Sequence, residues 1–168
     1  MSKYVEAEAK YTNVAFLVEA LLNMKNPYRN VNWEEKQVEV HLENTPKNQK
    51  VASRLRKKYP EMVVKTNGAK QLEGYYASDV KGKKANIVIP KKYLGSVSND
   101  VGFLVGKKGT TQYISDVDKN ISAKPWQDRL LDEYGLAEFK KKCRREGWKY
   151  VEKRLEDGQP RLIIDNPT

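Results

Sequence analysis

Thirteen of the chain's 32 lysine and arginine residues fall between Lys47 and Lys92, where only Glu61, Glu73 and Asp79 oppose them. Clustered cations do one kind of chemistry well: they neutralise phosphate oxygens and gain free energy from the counterions released. The formal charge of +10 equals the excess inside this stretch, so the rest of the chain is electrically balanced. Such complete segregation points to an anionic partner rather than to a merely solubilising surface. Arg54, Lys57, Lys58, Lys81, Lys83, Lys84, Lys91 and Lys92 are the candidate phosphate ligands. Tyr75, Tyr76 and Tyr93 lie among them, and rings interleaved with cations can stack on bases, each contact worth about 1–3 kcal/mol. The same rings would also serve as half-buried sheet residues.

The remaining chemistry-bearing residues form no reactive pattern. Gly106-Lys107-Lys108-Gly109-Thr110 lacks the G-x-x-x-x-G-K-[ST] spacing of a phosphate loop and leads into a strand, so it reads as a turn. Lys140-Lys141-Lys142 with Arg144-Arg145 sits near a helix C-terminus, where cations complement the macrodipole. Asp116, Asp118, Asp128, Asp132 and Glu133 fit no metal or acid–base spacing and read as surface charge. His41 and Cys143 are the sole histidine and the sole cysteine. One chain therefore holds no disulfide and no Cys/His zinc cluster, and both residues read as structural. No catalytic residue, metal ligand or cofactor is assigned.

Positioning the basic stretch requires regular elements around it. Lys3 to Tyr11 alternates as a half-buried strand. Thr12 or Asn13 caps a helix whose Val14, Leu17, Val18, Leu21 and Leu22 follow a core-facing stripe that stops near Asn26-Pro27. Gln37 to Leu42 reads as a strand. Thr45-Pro46 then opens a helix in which Val51, Leu55 and Tyr59 share a face and cations cover the remainder, until Pro60 ends it. Lys84–Ile89, Val101–Val105 and Thr111–Ser115 are three antiparallel strands, the last two joined through Gly106 to Gly109. Pro125 opens a long helix, with Trp126, Leu130, Leu131, Tyr134, Phe139 and Cys143 on an apolar face, a kink expected at Gly135 and a stop at Gly147. Trp126 and Trp148 bracket it as packing anchors. Trp148–Leu155 and Arg161–Ile164 flank Asp157-Gly158 as a terminal hairpin.

The order β-α-β-α-β-β-β-α-β-β predicts an α+β protein with a single, mostly antiparallel sheet and helices packed on one face. At 168 residues, with 39% hydrophobic residues, the chain fits one domain that buries its own core. Met1-Ser2-Lys3-Tyr4 has no apolar leader region, and no apolar run approaches the roughly 20 residues that span a bilayer. A cytoplasmic setting without membrane contact is expected.

Asn99-Asp100-Val101-Gly102-Phe103, the helix through Tyr134, Gly147-Trp148, and Glu156-Asp157-Gly158 followed by Arg161-Leu162-Ile163-Ile164 resemble the hypothetical chloroplast reading frame thirty-five family. That family is a domain of unknown function with cyanobacterial, plastid, bacterial and phage members. The resemblance covers about the last seventy residues. It extends more weakly to the first strand and helix and to Gly74-Tyr75-Tyr76, which stands where the family has Gly-Tyr-Arg-Gly before the strand that here is Ala85 to Ile89. The chain departs from the family between about residues 34 and 68, where relatives are shorter and lack the basic helix. The resemblance therefore implies a shared scaffold carrying Lys81 to Lys92 and an added basic segment, and it transfers no reaction.

The reading that follows is a non-enzymatic binding protein for a phosphate-bearing ligand, either single-stranded nucleic acid or a nucleotide. The phage members imply an alternative: a counter-defence protein that sequesters a cyclic nucleotide signal or binds an acidic host protein. Either reading is compatible with a homo-oligomer whose basic groove is shared across a two-fold axis.

Overall fold

A computed structural model of the chain describes residues 4–95, 98–116 and 118–165. The alternating first segment forms β1 (Tyr4–Ala9), Lys3 lying outside the described residues. Asn13 then caps α1 (Val14–Leu22), its side chain accepting the Phe16 N–H. The helix stops at Leu22, before Asn26-Pro27, because the chain turns directly into the small antiparallel pair β2 (Lys25–Asn26) and β3 (Val31–Asn32). A 3₁₀ turn at Glu35–Gln37 leads to β4 (Glu39–His41). Thr45 caps α2 (Pro46–Lys58), with proline in its first turn, and β5 (Val63–Lys65) follows.

The chain then makes an excursion from the main sheet through β6 (Lys70–Gln71), α3 (Ala77–Val80) and β7 (Lys84–Ala85). It re-enters as β8 (Ile87–Ile89), β9 (Val101–Val105) and β10 (Thr110–Ser115). The short α4 (Lys119–Ser122) and the long α5 (Lys124–Glu146) precede the terminal hairpin β11 (Lys149–Arg154) and β12 (Pro160–Asp165). Gly147 adopts the left-handed conformation (φ 74°) that closes α5, as expected of a C-terminal glycine. The helix runs unbroken across Gly135.

The chain is a mixed α/β protein with a mostly antiparallel large sheet. Six strands are ordered β1-β10-β9-β8-β4-β5, and every neighbouring pair is antiparallel except β4 and β5, which α2 joins by a crossover. The expectation of one sheet is corrected: β2–β3, β6–β7 and β11–β12 form separate two-stranded pairs. The physical reason is local. The expected strand Lys84–Ile89 breaks at Asn86, whose side chain takes over ladder bonds, donating to the His41 carbonyl (2.9 Å) and accepting the Val105 N–H (2.9 Å). That break lets β7 turn away to pair with β6. Strand β11 instead docks on α5, where Arg154 Nη2 meets Glu133 Oε2 at 3.0 Å.

Period-two alternation divides the sheet's side chains between two clusters. Val40, Val64, Ile87, Ile89, Val101, Phe103 and Ile114 join the main core, with Leu17, Val18 and Leu21 of α1, Ala52 and Leu55 of α2, Ile121 of α4, and Trp126, Leu130 and Tyr134 of α5. Val88 and Tyr113 face the other way and pack with Leu72, Val80 and Ala85 of the excursion. Helix α3 thus belongs to the second cluster, not to the layer formed by the other helices. Segment 34–68 supplies Val38, Val40, Leu42, Ala52, Leu55, Met62 and Val64 to the main core.

Tyr134 ties the layers together, its hydroxyl accepting the Thr12 and Asn13 N–H groups at 3.1 Å each. Replacing Asn86 by alanine removes the partner of a buried carbonyl and of a partly buried N–H, so Asn86→Ala is expected to cost about 3 kcal/mol. Urea unfolding should show that loss as a lowered midpoint at unchanged slope.

Candidate anion-binding site

The basic stretch does not form one surface. Helix α2 buries only Ala52 and Leu55, so Arg54 and Lys57 project from its solvent side and make no ion pair or hydrogen bond among the described residues. Lys58, itself exposed, pairs with Glu19 Oε1 (3.3 Å). Lys83 pairs with Glu6 Oε1 (2.7 Å) and lies over the Tyr113 ring. Lys84 is exposed on β7. Lys92 lies 5.1 Å from the ring centroid of Tyr93, which packs against the main core and directs its hydroxyl to the Lys36 carbonyl. Among the eight candidate phosphate ligands, Lys81 and Lys91 line one cavity of about 530 Å³. Lys91 and Lys92 also border a smaller hollow of about 240 Å³ beside Gly95 and Ser98.

The larger cavity is made by the excursion between β6 and β7. Gln71 closes its base, its amide donating to the carbonyls of Val80 (2.6 Å), Leu72 (3.2 Å) and Lys83 (3.2 Å). Leu72, Ala77 and Val80 give it an apolar floor, while Lys81, Lys91, Glu73 and Ser78 are the polar groups of its wall. Tyr75 and Tyr76 stand between Gly74 and Ala77, which both line the cavity; they are 52% and 50% exposed and meet each other edge to face at 4.8 Å. The two rings are exposed but are not among the residues that line the cavity.

Buried polar groups fix this wall. Asp100 is 2% exposed and accepts the backbone N–H of Glu73 (2.8 Å) and of Lys91 (2.8 Å). Burial pushes its carboxyl above the ordinary aspartate range, against the pull of those two N–H donors. Asn99 accepts the Tyr75 N–H (3.0 Å), and its buried amide nitrogen has no partner among the described residues. Lys91 Nζ reaches the Gly74 carbonyl at 3.2 Å. A Cβ at Gly74 would stand 2.6 Å from Asn99 Oδ1 and 2.8 Å from Val80, and one at Gly102 would stand 2.8 Å from Leu72. These two glycines permit the excursion to lie directly on β9.

A second polar cluster lies along β4 and β6, beside a hollow of about 390 Å³. Glu39 Oε1 meets His41 Nε2 at 2.9 Å and Lys70 Nζ at 3.1 Å. The His41 hydrogen bond, with help from Lys70, holds the Glu39 carboxyl down to about 2 despite partial burial.

Two of the five acidic residues read as surface charge are not on the surface. Asp118 is buried, caps α4 through the Ile121 N–H and meets Ser98 Oγ at 3.3 Å. Glu133 is buried under Arg154. The contacts of Asp118 with Ser98 and of Glu133 with Arg154 are not visible from spacing, because those partners lie 20 and 21 residues away; the cap to Ile121 is local. Cys143 is buried, and Trp126 lies in the main core.

No family model, no curated protein and no solved structure matches the chain. Among the described residues no three of His, Cys, Asp and Glu converge as a metal-ligand set, and no helix is long and apolar enough to cross a membrane.

Because Glu39 is far more acidic in the fold than its ordinary value of 4.5, its contribution to stability is complete above about pH 4.5. It is lost as pH falls from there towards 2. Glu39→Gln should flatten the thermal midpoint across that window relative to the parent protein, measured by scanning calorimetry against pH.

Proposed function

We propose that the chain is a non-enzymatic binding protein for a small phosphate-bearing ligand of nucleotide type, held between Gly74 and Lys91. The observation that carries this reading is the meeting of an apolar floor and two cations in one cavity of about 530 Å³. A nucleotide has the matching chemistry: a flat, weakly polar heterocycle for Leu72, Ala77 and Val80, and a phosphate for Lys81 and Lys91. The volume lies within the usual range for small-molecule pockets, about 300–1,000 Å³. Tyr75 and Tyr76, exposed and next in sequence to the lining residues Gly74 and Ala77, are the stacking surface this reading assigns.

The monomer is favoured over a single-stranded polymer by the dispersal of the other cations. An extended strand needs a continuous cationic track. Here Lys58 and Lys83 are tied to Glu19 and Glu6, and Arg54 and Lys57 lie on a different element. Membership of the hypothetical chloroplast reading frame thirty-five family belongs to the same proposal. Its support is that two separate motif segments meet, Tyr75 donating its N–H to Asn99 and the adjoining Glu73 its N–H to Asp100. Sequestration of a cyclic nucleotide signal is the form this function takes if the chain acts as the phage members imply.

Isothermal titration with nucleoside monophosphates, nucleoside triphosphates, cyclic dinucleotides and an oligothymidylate tests the proposal. A nucleotide should bind stoichiometrically and be recovered intact. Lys81→Ala and Lys91→Ala should each weaken it about tenfold, the scale of losing one charge-assisted hydrogen bond. Arg54→Glu with Lys57→Glu should leave its affinity unchanged. Preferential binding of the oligonucleotide, with a loss of about a thousandfold between 50 and 200 mM salt, would overturn the monomer reading.

A further inference from the structure

A hollow of about 580 Å³ shares no residue with the Lys81–Lys91 cavity. It lies where α1 and α5 pack, with Phe16 from α1 and Gly135, Glu138, Phe139, Lys141, Lys142 and Arg145 from α5. Both phenylalanines are half-buried, and Leu131, 52% exposed, lies one turn before Gly135 on the same side of the helix.

Gly135 has no explanation within the chain. It sits inside a helix of 23 residues, where glycine costs about 1 kcal/mol relative to alanine. Its φ is not positive, and a Cβ built on it meets nothing within 4 Å. Neither backbone conformation nor internal packing calls for the missing side chain. What its absence does is deepen the hollow, and an open glycine is where another backbone can approach closely.

The charge around this hollow is lopsided. In the run of five cations near the end of α5, Lys140 pairs with Glu152 (2.6 Å) and Arg144 reaches the Tyr150 hydroxyl (3.4 Å), both towards the terminal hairpin. Lys141, Lys142 and Arg145 line the hollow and make no ion pair or hydrogen bond among the described residues. Lys141 Nζ lies 5.5 Å from the Phe16 ring and Lys142 Nζ 5.9 Å from the Trp148 ring. Among the described residues, Glu138 is the only carboxylate in the wall.

We propose that this groove docks an acidic, amphipathic helical segment of a partner protein, its apolar face over Gly135, Phe16 and Phe139 and its carboxylates against Lys141, Lys142 and Arg145. Leu131, Gly135 and Phe139 recur every four residues, a stripe of about 12 Å that matches two turns of a docked helix. The separation of an apolar end from a cationic end is what distinguishes this occupant from nucleic acid. A phosphate strand repeats its charge along its length and would meet Leu131 and Glu138 unfavourably.

Fluorescence anisotropy on the full chain tests the proposal, with a labelled helical peptide of about 18 residues, leucine and phenylalanine at i, i+3, i+4 and i+7 and glutamate elsewhere. Saturable binding is expected, with Lys141→Glu plus Arg145→Glu weakening it by at least about tenfold. Gly135→Ala is the decisive variant: it should raise the thermal midpoint, because the helix gains propensity at no steric cost, and yet weaken the peptide about tenfold. The proposal is overturned by no saturable binding, by equal binding of the same peptide with lysine in place of glutamate, by tighter binding of an oligonucleotide, or by unchanged affinity in Gly135→Ala. Oligonucleotide binding counts against the proposal only where it survives Lys81→Ala with Lys91→Ala, and the other outcomes do not depend on the nucleotide site.

Discussion

The carboxylate of Asp100 is the constraint on which the candidate site depends. It sits at the start of β9, buried, and accepts N–H groups from Glu73 and Lys91, while its own N–H donates to the Glu73 carbonyl. Tyr4 adds a hydrogen bond from β1 to its carbonyl oxygen. One residue thereby fixes three segments relative to one another, its carboxylate holding the excursion and the segment after β8 and its backbone carbonyl the first strand. Removing a carboxylate from water costs several kcal/mol unless its lone pairs are met. Here they are met by backbone donors, which leaves the position of the cavity wall little freedom.

Gly74 and Gly102 make that arrangement sterically possible. The wall must lie against β9 closely enough for Asp100 and Asn99 to reach backbone N–H groups of residues 73 and 75. At that separation there is no room for a Cβ on either glycine. The rest of the sheet distributes its alternating side chains accordingly: the face carrying Val101 and Phe103 supports the helical core, and the face carrying Val88 and Tyr113 supports the excursion. The cavity is a by-product of laying a two-stranded flap on an otherwise half-covered sheet.

Much of the element content was legible in the residues. Asn13, Thr45-Pro46, Pro125 and Gly147 mark helix ends by cap chemistry that acts within one turn, and the structure places helix ends there. The loop Gly106 to Gly109 and the turn Asp157-Gly158 likewise join antiparallel strands. The elements that escaped, among them β5, β6, α3 and α4, are two to four residues long, too short for periodicity to register. The division of Lys84–Ile89 at Asn86 escaped as well, since an asparagine that substitutes for ladder bonds does so only when two other strands flank it.

Sequence by itself determined the inventory: where the positive charge lies, where the long helices run, and that no local motif demands a reaction. It determined these because charge and capping act over a few residues. Only the tertiary structure decided that the +10 stretch is not one patch. Lys58 and Lys83 find carboxylates 39 and 77 residues away, Lys81 and Lys91 are brought to one cavity by the fold of the excursion, and Arg54 and Lys57 remain on an outer helix. Those outcomes depend on which strands become neighbours, and strand adjacency is set by the packing of the whole core rather than by any stretch of residues.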